Sequence, residues 1–174
     1  MDAKLRNRKR TRLKEYDYSQ AGYYHITICT KDNLPILSNV KVGLGLAPAT
    51  VELTSKGIIT EEQLLDLPNR YENVRIDKYV IMPTHIHFII VLEKVDSGRR
   101  PAARASPSPT IMGVVGAFKS ISTRMCNQYD NTVGRKIWQP SFYDEVIRND
   151  AAYNEIWTYI DSNPAKWLDD TYCT

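Results

Sequence analysis

Two histidines stand one residue apart in His85-Ile86-His87, and the chain holds only three histidines in all. In an extended segment alternate side chains share a face, so these imidazoles lie roughly 6 to 7 Å apart along the backbone, with Ile86 turned the other way. Two neutral imidazoles so placed can grip one divalent ion. The same spacing suits two hydrogen-bonded strand histidines, and spacing alone does not choose between the two roles. A second pair, Tyr159 and Asn163, is i and i+4 on a late helix, which puts both on one face with Cβ atoms about 5 to 6 Å apart. Tyr159 offers a phenol and Asn163 an amide oxygen that can ligate or accept a hydrogen bond. A partly buried aromatic on an amphipathic helix is the plainer role for Tyr159.

The elements that must position these residues follow from periodicity. Tyr24 to Thr30 (YHITICT) alternates like a half-buried strand. Lys31 to Asn39 reads as a loop, and Lys41 to Thr50 (KVGLGLAPAT) as an irregular connection. A helix is predicted after Leu53, capped by Thr54 or Ser55 and ending before Pro68. Strands follow at Val74 to Met82 and Ile86 to Glu93, joined by a turn at Pro83-Thr84. Residues 96–110, rich in Pro, Ser, Ala and Arg, read as a mobile loop. A helix is expected from Ile111 to Tyr129, with Val114, Val115, Phe118, Ile121 and Met125 near one face. Ile137 to Ile147 reads as a short strand or extended segment broken at Pro140. A last helix runs from Asp150 to Ser162, capped by Asn149 or Asp150 and stopped by Pro164. This order gives an α+β sandwich, a mostly antiparallel sheet with helices on one face.

The chain has 174 residues, 43% of them hydrophobic, enough for one domain with a real core. We divide it into a basic arm at 1–15 and a single catalytic domain at 16–170. Its net charge is only +3, but residues 4–14 (KLRNRKRTRLK) carry seven Lys or Arg and no acid. Such an arm displaces counterions from a phosphate backbone and points to nucleic acid. Cys29, Cys126 and Cys173 are scattered without CxxC spacing, so neither a disulfide framework nor a zinc site follows. No stretch approaches the ~20 apolar residues of a membrane helix, and a soluble cytoplasmic protein is expected.

Four ordered segments carry a family resemblance: Tyr79-Val80-Ile81-Met82-Pro83-Thr84-His85-Ile86-His87-Phe88-Ile89-Ile90, Ile137-Trp138-Gln139-Pro140-Ser141-Phe142-Tyr143-Asp144, Ile147-Arg148-Asn149, and Tyr159-Ile160-Asp161-Ser162-Asn163-Pro164. They resemble the REP-associated tyrosine transposases, single-tyrosine members of the HUH transposases in which U is hydrophobic. The resemblance spans about residues 16–167. It implies a ferredoxin- or RRM-like fold of the HUH endonuclease type. It implies His85 and His87 as metal ligands, Asn163 as the third, and Tyr159 as the nucleophile. Tyr143 is the rival phenol. Tyr153, six residues before Tyr159, lies about 120° from its face.

The implied reaction cuts and rejoins single-stranded or hairpin DNA through a 5′-phosphotyrosine, without a nucleotide cofactor. Mg²⁺ or Mn²⁺ suits the phosphate oxygens. The partner is then a single-stranded or hairpin DNA rather than a membrane, and the chain a monomer or homodimer. Candidate DNA contacts are Lys4, Arg6, Arg8, Lys9, Arg10, Arg12 and Lys14 of the arm, Arg99, Arg100 and Arg104 of the loop, and Lys119 and Arg124 on the long helix. Trp138 and Tyr143 are candidates for stacking on unpaired bases. The competing expectation is an RRM-like module that binds single strands and has lost catalysis.

Overall fold

The computed structural model describes residues 16–41, 48–94 and 109–169. Four strands form one antiparallel sheet: β1 (Gly22–Cys29), β4 (Val74–Ile81), β5 (His85–Leu92) and β6 (Tyr143–Ile147), in the order β4-β5-β1-β6. A separate hairpin pairs β2 (Ser38–Lys41) with β3 (Thr50–Leu53). Periodicity alone gives that region no regular element, because each strand is only four residues long and half of their side chains are exposed.

All eight residues of β5 are buried, so its alternation is not of apolar with polar but of two different interiors. Ile86, Phe88, Ile90 and Leu92 point into the main core with Tyr24, Ile26 and Ile28 of β1. That core is closed by α1 (Ser55–Leu65), α2 (Leu67–Arg70) and α3 (Ile111–Tyr129), which supply Leu64, Leu67, Val114, Val115 and Phe118. Thr54 caps α1 and Thr110 caps α3, each accepting a hydrogen bond from a glycine N–H three residues on, Gly57 and Gly113. At Gly57 a Cβ would meet the Leu37 carbonyl oxygen at 2.0 Å, so only glycine lets α1 approach that strand-side loop.

The helix predicted to end before Pro68 stops at Leu65, and Pro68 instead sits in the first turn of α2, where its missing N–H has no partner to lose. Helices cover both faces of the sheet rather than the one expected, with α1 and α3 on the first. The opposite face carries α4 (Asp150–Ser162), capped by the Asn149 side chain and continued by a 3₁₀ segment, Asn163–Asp169. Ile156 and Ile160 of α4 pack there with Ile89 and Ile147 in a second, smaller cluster. The basic arm at 1–15 and nearly all of the loop at 96–110, including Arg99, Arg100 and Arg104, lie outside the described residues.

Candidate active site

The turn that starts β5 is tied down from two sides. Thr30 donates to the Thr84 carbonyl through both its backbone N–H (2.7 Å) and its Oγ1 (2.9 Å), and the Leu37 N–H reaches the Pro83 carbonyl at 3.1 Å. His85 and His87 leave this turn on the α4 face, both fully buried, with ring centres 4.6 Å apart and planes at 74°. Thr27 lies directly opposite His87 in the β1–β5 register, and its Oγ1 is 2.8 Å from His87 Nδ1. Thr84 Oγ1 is 3.0 Å from His85 Nδ1. With each Nδ1 held by a hydroxyl, Nε2 is the nitrogen of each ring that could ligate a metal; a fixed outer partner of this kind sets tautomer and ring orientation.

Tyr159 stands on α4 above the pair. Its hydroxyl is 3.3 Å from His87 Nε2, and the two rings meet edge to face with centroids 5.1 Å apart. The rival phenols are elsewhere. Tyr153 gives its hydroxyl proton to Asp77 at 2.5 Å, and that bond pushes its pKa up to about 12. Tyr143 is 49% exposed on β6, opposite Thr27.

Asn163 is one turn beyond Tyr159 and buried, at 3% exposure. Its backbone N–H bonds the Ile160 carbonyl, while its Oδ1 is enclosed without a hydrogen-bond partner among the described residues. An enclosed amide oxygen in that condition costs about 1–3 kcal/mol unless something satisfies it. A hard divalent cation is a suitable partner. Among the described residues no group of three or more His, Cys, Asp or Glu is arranged to hold a metal, and this amide oxygen is a donor of another type that could join His85 and His87. Two imidazole nitrogens and one neutral oxygen leave coordination positions for phosphate and water, which fits Mg²⁺ or Mn²⁺.

The third histidine went unused in the sequence reading and belongs here. His25 lies on the same face of β1, 5.4 Å from the His87 ring and 6.2 Å from that of Tyr159. Its signal was the alternation of β1, which turns His25 and Thr27 away from Tyr24, Ile26 and Ile28. Trp167 of the 3₁₀ segment covers His85 at 6.2 Å. Burial pushes the pKa of His25 down to about 4. Burial, then the neighbouring His85 and His25, hold His87 well below the ordinary imidazole range. Neutral rings with available lone pairs are what metal ligation requires.

No family model matches this chain. An uncharacterized protein of Haemophilus influenzae is 29% identical over 178 residues, covering 97% of this chain and 94% of that one. Among solved structures, a REP-associated tyrosine transposase bound to a REP hairpin superposes with a TM-score of 0.56 at 22% identity, over 89% of this chain and 74% of that one. In fold this chain is similar to that transposase. A candidate transposase from Deinococcus radiodurans gives a TM-score of 0.46 at 17% identity, over 87% of this chain and 95% of that one.

Within this fold the expected DNA contacts divide. Trp138 is a correction: it is 5% exposed, donates its indole N–H to Ser122 Oγ at 2.9 Å and packs on Phe118. At that exposure the ring offers little platform to a base. Lys119 is a second correction, because its ammonium is spent on the carbonyls of Gln139, Pro140 and Ser141 at 2.7, 3.0 and 3.3 Å, fastening the approach to β6. Arg124 is exposed, but α3 lies in the layer across the sheet from Tyr159. Tyr143 keeps an open ring on the same face as His25 and Thr27. Lys4, Arg6, Arg8, Lys9, Arg10, Arg12 and Lys14 lie outside the described residues.

Proposed function

We propose that this chain is a metal-dependent, transposase-type nickase that cuts and rejoins single-stranded or hairpin DNA through Tyr159. One observation carries the reading: a phenol oxygen rests 3.3 Å from the Nε2 of a buried histidine that is itself paired with a second histidine. The likeness in fold to a tyrosine transposase bound to a hairpin supports a DNA substrate of that kind.

His85, His87 and Asn163 would hold the ion. When bound, a divalent ion withdraws charge from the phosphate oxygens and so lowers the barrier to attack. Thr27 and Thr84 keep the two imidazoles facing inward. Tyr159 then forms an O–P bond while the bond from phosphorus to the 3′ oxygen breaks; the phenol loses its proton and the 3′ oxygen gains one. The 5′-phosphotyrosine conserves the energy of the broken diester, and attack by another 3′-hydroxyl reverses the step and joins strands without ATP.

A labelled hairpin oligonucleotide with single-stranded flanks, incubated with Mg²⁺ or Mn²⁺, tests this. The expected result is a covalent protein–DNA adduct that Tyr159→Phe abolishes. Binding without adduct overturns it in favour of a binding module. Cleavage that survives Tyr159→Phe indicates hydrolysis by water.

A further inference from the structure

The contact that brings Tyr159 to the histidine pair also stands in the way of a metal. His87 Nε2 is the ring nitrogen that could ligate, and the Tyr159 hydroxyl is already hydrogen-bonded to it at 3.3 Å. The other nitrogen, Nδ1, is taken by Thr27 Oγ1 at 2.8 Å. A nitrogen of neutral imidazole carries either one lone pair or one proton in the ring plane, never both. If Nδ1 donates to Thr27, the phenol donates to the Nε2 lone pair, which is the pair an ion needs. If Thr27 donates to Nδ1, Nε2 holds a proton and donates it to the phenol oxygen, and ligation requires that proton to leave. Under either tautomer the hydrogen bond and a metal bond at Nε2 exclude each other.

The phenol has somewhere to go. Tyr159 is half-buried and borders a cavity of about 300 Å³, whose walls also include His25, Glu145 and Glu155. A hydroxyl that leaves His87 can therefore turn into polar surroundings without any change in the sheet.

We propose that the Tyr159–His87 hydrogen bond keeps the nucleophile in a metal-free resting arrangement, and that loading a divalent cation at the histidine pair breaks it, so that metal binding and release of the phenol are one event. This rests on the metal site of the proposed function. Tyr159→Phe removes the competing hydroxyl and leaves both imidazoles in place. Calorimetric titration of Mn²⁺ into the full chain reads the effect without DNA or turnover. The variant is expected to bind Mn²⁺ about 2- to 10-fold more tightly than the wild type, the range that the net worth of one hydrogen bond sets. Tyr153→Phe, whose lost hydroxyl serves Asp77, should leave that affinity unchanged. With tyrosine labelled at Cζ, the one NMR signal absent from Tyr159→Phe should move as Mg²⁺ is added. Equal affinity in Tyr159→Phe overturns this inference, and so does weaker binding, because the phenol is then a ligand rather than a competitor. Either result leaves the nickase reading intact so long as the wild type forms its metal-dependent adduct. If the wild type binds no Mn²⁺ and forms no adduct, the nickase reading falls and this inference with it.

Discussion

The two faces of β5 come from the same eight residues and do different work. Ile86, Phe88, Ile90 and Leu92 enter a large core closed by three helices, whereas His85, His87 and Ile89 face a single helix over a cluster of only four buried residues. The first face holds the sheet together. The second holds polar groups at fixed angles and relies on the first for its rigidity. The contrast shows why a fully apolar-looking strand can carry a site: burial on both sides fixes the imidazoles, and period-two alternation keeps them out of the core.

The largest expected effect lies on the core face. Phe88→Ala should lower unfolding free energy in urea by about 3–5 kcal/mol, whereas Ile156→Ala in the smaller cluster should cost about 2 kcal/mol, at the low end for a partly exposed site. Equal losses would dissolve the distinction between the faces. Next comes pH. The folded pKa of His25, about 4, lies below its ordinary value of 6.5, so between those values the unfolded chain binds more protons. Stability of the chelator-treated protein is therefore complete above pH 6.5 and falls as pH drops toward 4, by about 3 kcal/mol at most. Thermal melting across that window checks it, and His25→Phe should flatten the slope; an unchanged slope refutes the assignment.

A subtler variant separates orientation from folding. Thr27→Val removes the hydroxyl at His87 Nδ1 and should raise the metal concentration for half-maximal adduct formation about 10- to 100-fold, with the melting temperature little changed. Smallest is Trp138→Phe, which should cost about 1 kcal/mol through the lost bond to Ser122 and leave hairpin affinity unaltered in a filter-binding assay. A fall in affinity without loss of stability would return Trp138 to the DNA surface.

Strong local signals explain what was legible. The α+β class, the β4–β5 hairpin, α3, and α4 with its Asn149 cap all follow from long periodic runs and capping residues. The HxH spacing put His85 and His87 on one face, where their rings meet. What sequence could not give was the third dimension. Which face of the sheet α4 covers, that Thr27 meets His87 from a strand sixty residues away in the chain, and that His25 closes the cluster are all consequences of register. Trp138 was misread because aromatics are ambiguous between platform and core, and only Ser122, sixteen residues away on α3, decides it. Lys119 misled for a similar reason: three carbonyls of an irregular segment needed a donor, and nothing local announces that need.

The placement of Tyr159 and Asn163 one helical turn apart, just where α4 tightens into the 3₁₀ segment, has a mechanical consequence. Phenol and amide ride on one continuous helical segment, so a movement of its end shifts both. The helix is pinned to β4 at its end by Lys78, which reaches Asp161 at 2.5 Å and sits 3.8 Å from the Trp157 ring centre. On the proposed reading, tilting α4 would draw the phenol from His87 and shift the amide in a single movement.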